Sequence, residues 1–179
     1  GGLIKVLEGT IGLGWPYTST WTNNQSSLEI AGGARFDMND EDEVRIGALT
    51  GSGTFNFGTS IDGRLYIGVG NATGQFDGTL TNPNRLLHIE KVGSGTQTFA
   101  GSVQHTGDTF VYGGKLVVAS GGHITRTRNV RITDDATLGI AGTFTQAAGN
   151  RNVFSVGAST ANTGTVVVND GGVLDIGNG

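Results

Sequence analysis

The chain has 179 residues, a formal net charge of −4, 36% apolar and 15% charged residues, and no cysteine. The missing cysteines exclude disulfides, thiolate metal sites and cysteine nucleophiles, and the mild negative charge provides no cationic surface for nucleic acid. Glycine supplies 33 residues, more than twice the usual share of roughly 7%, but without the three-residue period of collagen. These values predict one domain with many short strands and turns.

Ten short apolar segments predict β-strands. Most of them have two apolar residues separated by one other residue, which places both on the same face of a pleated strand. Glycine, asparagine and aspartate stand between the segments, and they tolerate the positive φ of tight turns. In chain order the segments are LEI (28–30), VRI (44–46), FNF (55–57), LYI (65–67), LHI (87–89), KLVV (115–118), VRI (130–132), TLGI (137–140), TVVV (165–168) and VLDI (173–176).

Helices are expected to be nearly absent, because few ten-residue windows lack a glycine and glycine costs about 1 kcal/mol within a helix. The stretch 123–138 is long enough to test. It is rich in β-branched residues and alternates with period two, which predicts a strand followed by a turn at Asp134 and Asp135. No segment resembles a membrane span.

Recurring motifs lie near multiples of twenty residues. The sequence GSGT occurs at 51–54 and at 93–96, and Leu116 and Leu138 are 22 residues apart. Gly-Gly pairs that precede a short strand end at Gly33, Gly114 and Gly172. This spacing predicts an all-β stacked solenoid of about 8–9 rungs with 18–22 residues each. A β-sandwich is the alternative, because it also has strands at short, regular intervals.

Residues 85–118 resemble the autotransporter-associated β-strand repeat of bacterial surface proteins, and residues 30–58 are similar to the segment that often precedes it. Phe99 stands where the repeat usually has leucine, and SVQHTG replaces its Asn-x-Tyr-Thr-Gly turn. The resemblance implies a right-handed parallel β-helix exported to the bacterial cell surface. The matching positions are Lys91, Gly93, Gly95, Thr96, Gly101, Thr106, Gly107, Thr109, Val111, Gly113, Gly114 and Leu116.

We therefore expect residues 1–179 to form a single solenoid segment of a longer protein, with an atypical aromatic first rung or cap at 1–27 and repeat rungs at 28–179. The expected function is that of a structural stalk or passenger segment, with adhesion as an added role, in the extracellular space. No enzymatic activity and no cofactor are expected. The alternatives are an extracellular filament built by end-to-end stacking and a glycan-binding or polysaccharide-active β-helix.

The segment DMNDEDE (37–43) is the only run of charged residues. Its carboxylates are potential ligands for a hard cation such as Ca²⁺, with Asp37, Asp40 and Asp42 as the weak candidates. The run lacks the glycine that an EF-hand loop needs at its sixth position. A solvated turn between rungs is the favoured interpretation.

Both tryptophans lie in GWPYTSTW (14–21). Exposed aromatic faces stack on sugar rings, so Trp15, Tyr17 and Trp21 are the candidates for a contact with surface glycans or with a neighbouring copy. The favoured alternative is that they fill the first rung of the core, because tryptophan is usually well buried.

The remaining polar candidates are weaker. Arg126, Arg128 and Arg131 form a small basic strip that suits an acidic glycan, although an ordinary solvent face is the favoured interpretation. Histidines 88, 105 and 123 lack the spacing of metal ligands, and each is expected on a rung surface or in a turn.

Overall fold

The computed structural model describes residues 1–13, 21–39, 41–58, 62–82, 85–133, 135–149, 152–157 and 164–177. Within these ranges the chain forms twenty-two strands, one 3₁₀ turn at Val69–Asn71 and no α-helix. The described residues therefore include no helix that is long and apolar enough to cross a bilayer. The strands are β1 (Leu3–Val6), β2 (Thr10–Gly12), β3 (Ser27–Ile30), β4 (Arg35–Asp37), β5 (Glu43–Ile46), β6 (Leu49–Gly51), β7 (Thr54–Asn56), β8 (Gly63–Ile67), β9 (Gly74–Phe76), β10 (Thr79–Thr81), β11 (Leu87–Lys91), β12 (Thr96–Phe99), β13 (Ser102–Gln104), β14 (Thr109–Val111), β15 (Lys115–Val118), β16 (His123–Thr127), β17 (Val130–Ile132), β18 (Thr137–Ile140), β19 (Thr143–Gln146), β20 (Phe154–Val156), β21 (Thr165–Val168) and β22 (Val173–Asp175).

The strands form three parallel sheets, and the chain visits them in turn. The first sheet has the order β1-β3-β6-β9-β12-β15-β18-β21, the second β2-β4-β7-β10-β13-β16-β19-β22, and the third β5-β8-β11-β14-β17-β20. Every described strand pair is parallel. The fold is therefore a parallel β-solenoid, as the spacing predicted, and the β-sandwich alternative is wrong.

Six turns of the solenoid have a described strand in all three sheets, and an incomplete turn flanks them at each end. The expected 8–9 rungs exceed this number, because several turns are longer than 18–22 residues. Pairing partners in the first sheet are 19 residues apart for Gln97 and Leu116 but 28 apart for Leu138 and Val166. Corner loops of variable length absorb the difference.

All ten apolar segments form strands or extend directly from one, so this prediction is confirmed. The stretch 123–138 differs from the prediction, because β16 ends at Thr127 and β17 belongs to another sheet. Arg126 has a φ of 69°, and the pairing register shifts between Ile124 and Thr127. This irregularity turns the chain from the second sheet toward the third.

The two GSGT copies occupy different corners. Residues 51–54 connect β6 in the first sheet to β7 in the second, whereas residues 93–96 connect β11 in the third sheet to β12 in the first. Their separation therefore does not count whole turns. Both corners need a residue with positive φ, which Gly51 and Gly93 supply, so the same short sequence serves each of them.

The core is a set of side-chain columns that run along the solenoid. In the second sheet Phe36 aligns with Phe55, and their rings stack at 5.3 Å. Every turn adds one residue to each column, so the apolar interior is continuous although no single turn has a core of its own. The second-sheet column continues through Leu80, Val103, Ile124 and Phe144, all of them buried.

Candidate functional surfaces

Lys91, the first residue of the repeat-like motif, lies inside the solenoid at the end of β11 and is fully buried. Its Nζ donates hydrogen bonds to the carbonyls of Val92 (2.6 Å), Gly93 (2.9 Å) and, one turn further on, Gly113 (3.1 Å). Burial lowers the pKa of the Lys91 ammonium to about 8, so the group stays largely charged at neutral pH. Three donors matched to three acceptors join two consecutive turns at this corner.

We expect Lys91→Met to lower the free energy of unfolding by about 2 kcal/mol, because the apolar side chain fills the space but leaves three carbonyls of partly exposed residues without their donor. Urea unfolding followed by circular dichroism measures the change. Lys115→Met is the matched control, since Lys115 is exposed on β15 and its loss should stay within about 0.5 kcal/mol. Equal effects of the two substitutions would contradict the role of Lys91.

The other motif residues also occupy structural positions. Leu116 is buried, and Thr96 begins β12. At Gly101 an added Cβ would lie 2.0 Å from the carbonyl oxygen of Gly78 in the preceding turn. Gly114 combines a φ of 59° with a similar contact to Gly95. Gly93, Gly95, Gly107 and Gly113 likewise lie where neighbouring turns approach closely.

His105 lies in the interior at the corner between the second and third sheets, with no exposed surface. The residue lies in a turn, one of the two positions expected from the sequence, but its side chain is buried rather than exposed. Nδ1 lies 2.9 Å from the Leu87 carbonyl, and Nε2 lies 3.0 Å from Oγ1 of Thr109. Because a carbonyl only accepts, Nδ1 carries the proton and Nε2 accepts from Thr109.

The hydrogen-bonded chain continues along the solenoid axis. Oγ1 of Thr109 lies 2.9 Å from Oγ1 of Thr127 in the next turn, and Thr127 approaches the Gly107 carbonyl at 3.3 Å. Burial dominates the titration of His105 and lowers its pKa to about 4, against the smaller opposing effect of the Leu87 hydrogen bond. The imidazole is therefore uncharged at neutral pH, and its hydrogen bonds link its own turn to the preceding one.

Charged and aromatic side chains alternate along the outer face of the third sheet. The guanidinium of Arg45 lies 4.4 Å from the ring centroid of Tyr66, and Nε of Arg64 lies 3.7 Å from Glu90. Glu90 is 5% exposed, and burial raises the pKa of its carboxyl, while Arg64 acts in the opposite direction. These contacts stabilise neighbouring turns as cross-strand pairs.

A second set of side chains lies where the strands of the third sheet begin, and each accepts a hydrogen bond from a backbone amide of the following turn. Asp62 accepts from the amide of Leu86, Asp108 from that of Asn129, and Asn129 from that of Val153. His88 accepts from the amide of Asp108 in the same way. The side chains thus extend the inter-turn ladder beyond the strand.

The acidic run does not form a metal site in the described residues. Asp37 lies in β4 and pairs with Arg35 at 2.7 Å, Asp42 is exposed, and Asp40 lies outside the described residues. Within the described ranges no group of three histidine or carboxylate side chains comes close enough to hold a metal ion. The run is also not wholly solvated, because Glu41 is only 5% exposed.

The aromatic candidates are described in part. Trp15 and Tyr17 lie outside the described residues. Trp21 is half-buried against the core, and its ring meets Phe36 edge-on at 5.2 Å. This contact fits the core interpretation for Trp21.

The arginines of the basic strip are all exposed. Arg126 lies in β16 of the second sheet and Arg128 directly after it, whereas Arg131 lies in β17 of the third sheet. The predicted strip is therefore divided between two faces. Sequence reasoning missed Gln97 and Tyr112, and it did not foresee that His105 is buried. A signal was present for Gln97: it stands two residues before Phe99 in the same strand, so both side chains lie on the inner face.

Comparison of the chain with protein-family models, curated proteins and solved structures finds no match. The resemblance to the autotransporter-associated repeat accordingly stays a prediction from the residues quoted above.

Proposed function

We propose that this chain is a stalk or passenger segment of an exported bacterial surface protein, in which a right-handed solenoid holds other parts of the protein away from the cell. The observation that carries the proposal is the unbroken ladder of eight parallel strands in the first and second sheets. At about 4.8 Å per strand these ladders span roughly 35 Å.

The polar contacts described above support this role, because most of them join one turn to the next. Lys91 connects two turns, the chain that begins at His105 connects three, and side chains where the third-sheet strands begin accept hydrogen bonds from backbone amides. Side chains used in this way stiffen a rod. The role is non-enzymatic and needs no cofactor.

A deletion of one whole turn tests the proposal. Removal of residues 28–48 brings Leu49 to the register position of Leu28, since the two are partners in the first sheet. We expect a folded rod that is shorter by about 4.8 Å in X-ray scattering. The control removes residues 28–38 only, which shifts the register and should destroy the fold.

Surface display completes the test. The segment, with an epitope tag at its amino end, replaces the stalk of an exported bacterial protein, and an antibody against the tag is applied to intact cells. We expect display with the intact segment and with the whole-turn deletion. Failure of the intact segment, or an equal loss with both deletions, would contradict the stalk function.

A filament is the second candidate, and exposed apolar side chains at both ends of the described solenoid favour it. Leu3 and Leu7 are 52% and 64% exposed, and Val168 and Val173 are 48% and 51% exposed at the other end. The outer edges of the terminal strands in the first and second sheets are unpaired within the described chain, so a second copy stacked end to end would continue these two ladders. Electron microscopy at rising concentration distinguishes filaments from single short rods.

A further inference from the structure

A groove crosses the corner between the third and first sheets beside Tyr112. It has a volume of about 600 Å³, within the range of small-ligand sites. Three consecutive turns contribute to it, because Thr96, Lys115 and Thr137 are partners in adjacent strands of the first sheet. The groove therefore runs along the solenoid axis for about 10 Å.

Tyr112 provides an aromatic wall. It is 42% exposed and follows directly after β14. Phe110, on the same outer face, supports it, with ring centroids 5.7 Å apart and the ring planes inclined by 43°. Because Gly113 and Gly114 separate Tyr112 from Lys115, no side chain fills the space between these two residues, and the floor is bare backbone.

The rest of the lining consists of hydrogen-bonding groups. Ser94, Thr96 and Thr137 contribute hydroxyls, and Lys115 and Asp135 contribute one charge of each sign. None of the described lining residues is aliphatic, so the groove offers no apolar pocket to anchor a peptide side chain. One cation and one anion also give no net attraction for a polyanion.

We propose that the Tyr112 groove binds an uncharged oligosaccharide, with the C–H face of one sugar ring stacked on Tyr112 and neighbouring sugar hydroxyls bonded to Lys115 and Asp135. A sugar hydroxyl both donates and accepts, so it matches an ammonium and a carboxylate together. An aromatic ring with an exposed face matches the apolar side of the sugar. The proposal does not rest on the stalk function.

Calorimetric titration with cellohexaose, mannohexaose and chitohexaose tests the site, with a hyaluronate hexasaccharide as the acidic comparison. We expect at least one of the uncharged sugars to bind. Tyr112→Ala should weaken that binding by about tenfold or more, whereas Tyr112→Phe keeps the stacking face and should change it by less than about threefold. Urea unfolding of each variant verifies that the exposed substitution leaves the fold intact.

Two further substitutions locate the polar contacts. Lys115→Gln and Asp135→Asn should each weaken binding, and Lys5→Gln, on the outer face of the same sheet at β1, should leave it unchanged. The proposal is overturned if no uncharged hexasaccharide binds, if Tyr112→Ala binds as tightly as the unaltered chain, or if only hyaluronate binds with an affinity that falls steeply with salt.

Discussion

Gln97→Leu is expected to lower the free energy of unfolding by about 4 kcal/mol, the largest effect of any single substitution proposed for this chain. Gln97 lies in β12 and is 1% exposed. Its Oε1 accepts a hydrogen bond from the amide of Leu49 (3.1 Å), and its Nε2 donates to the Leu49 carbonyl (2.9 Å). The side-chain amide therefore acts as a peptide group for a residue two turns away.

Gly74 in the intervening turn explains this long reach. Gly74 is the register partner of Gln97, and because it has no side chain, the side chain of Gln97 can pass it and reach Leu49. The strands β6 and β9 pair only between Gly51 and Phe76, so the backbone of Leu49 gains no partner from β9. Leucine at position 97 makes neither hydrogen bond, so it leaves the buried amide and carbonyl of Leu49 without these partners, at about 1–3 kcal/mol each.

Equilibrium unfolding in urea measures the loss. Gln75→Leu is the matched control, because Gln75 lies in the adjacent strand β9, faces solvent and donates a hydrogen bond to the exposed Asp77 at 2.7 Å. Its effect should stay within about 0.5 kcal/mol. A loss below about 1 kcal/mol for Gln97→Leu would show that Leu49 finds other partners.

Acidification from pH 6.5 to pH 4 should destabilise the protein through His105 by roughly 3 kcal/mol. The folded-state pKa of His105 is lowered to about 4 by burial, whereas the unfolded chain has the ordinary value near 6.5. Between these values the unfolded state binds more protons than the folded state. Stability is therefore fully present above pH 6.5 and is lost as the pH falls toward 4.

His105→Gln removes the titrating group and serves as the reference. Burial raises the folded-state pKa of Glu90, which acts in the opposite direction on acidification, but this contribution is common to both chains and cancels. The free energy of unfolding is measured at pH 7 and at pH 4.5 for each. If both chains lose the same stability, His105 is not the acid-sensitive group.

The repetitive plan could be predicted from short-range patterns. Apolar residues two apart, as in Leu28 and Ile30 or Leu65 and Ile67, can share a face only in a strand. Glycine, asparagine and aspartate between such pairs allow the chain to turn after three to five residues. Because no short turn of this kind has a core of its own, stacking of turns was the consistent solution.

The number of turns and the identity of each corner could not be predicted in this way. The GSGT copies at 51–54 and 93–96 are alike because positive φ is needed at both corners, yet they connect different pairs of sheets. The need for a positive φ at a corner does not indicate which two sheets that corner connects. Counting the separation of such copies as whole turns therefore gave too many rungs.

The polar interior was also beyond local patterns. Lys91 was recognised as a motif residue, but its ammonium is matched by carbonyls that belong to two turns. The environment of His105 likewise depends on Leu87 and Thr127, which lie 18 and 22 residues away along the chain. Such partners come together only when the register between turns is set.

The sequence alone determined that this chain is all-β, turns at glycine and buries alternate residues, because these properties depend on neighbours a few residues apart. The tertiary structure decided which residues lie above one another. It thereby decided where a buried lysine, histidine or glutamine is satisfied and where Tyr112 faces an open groove, since the stacking of turns of unequal length sets those contacts.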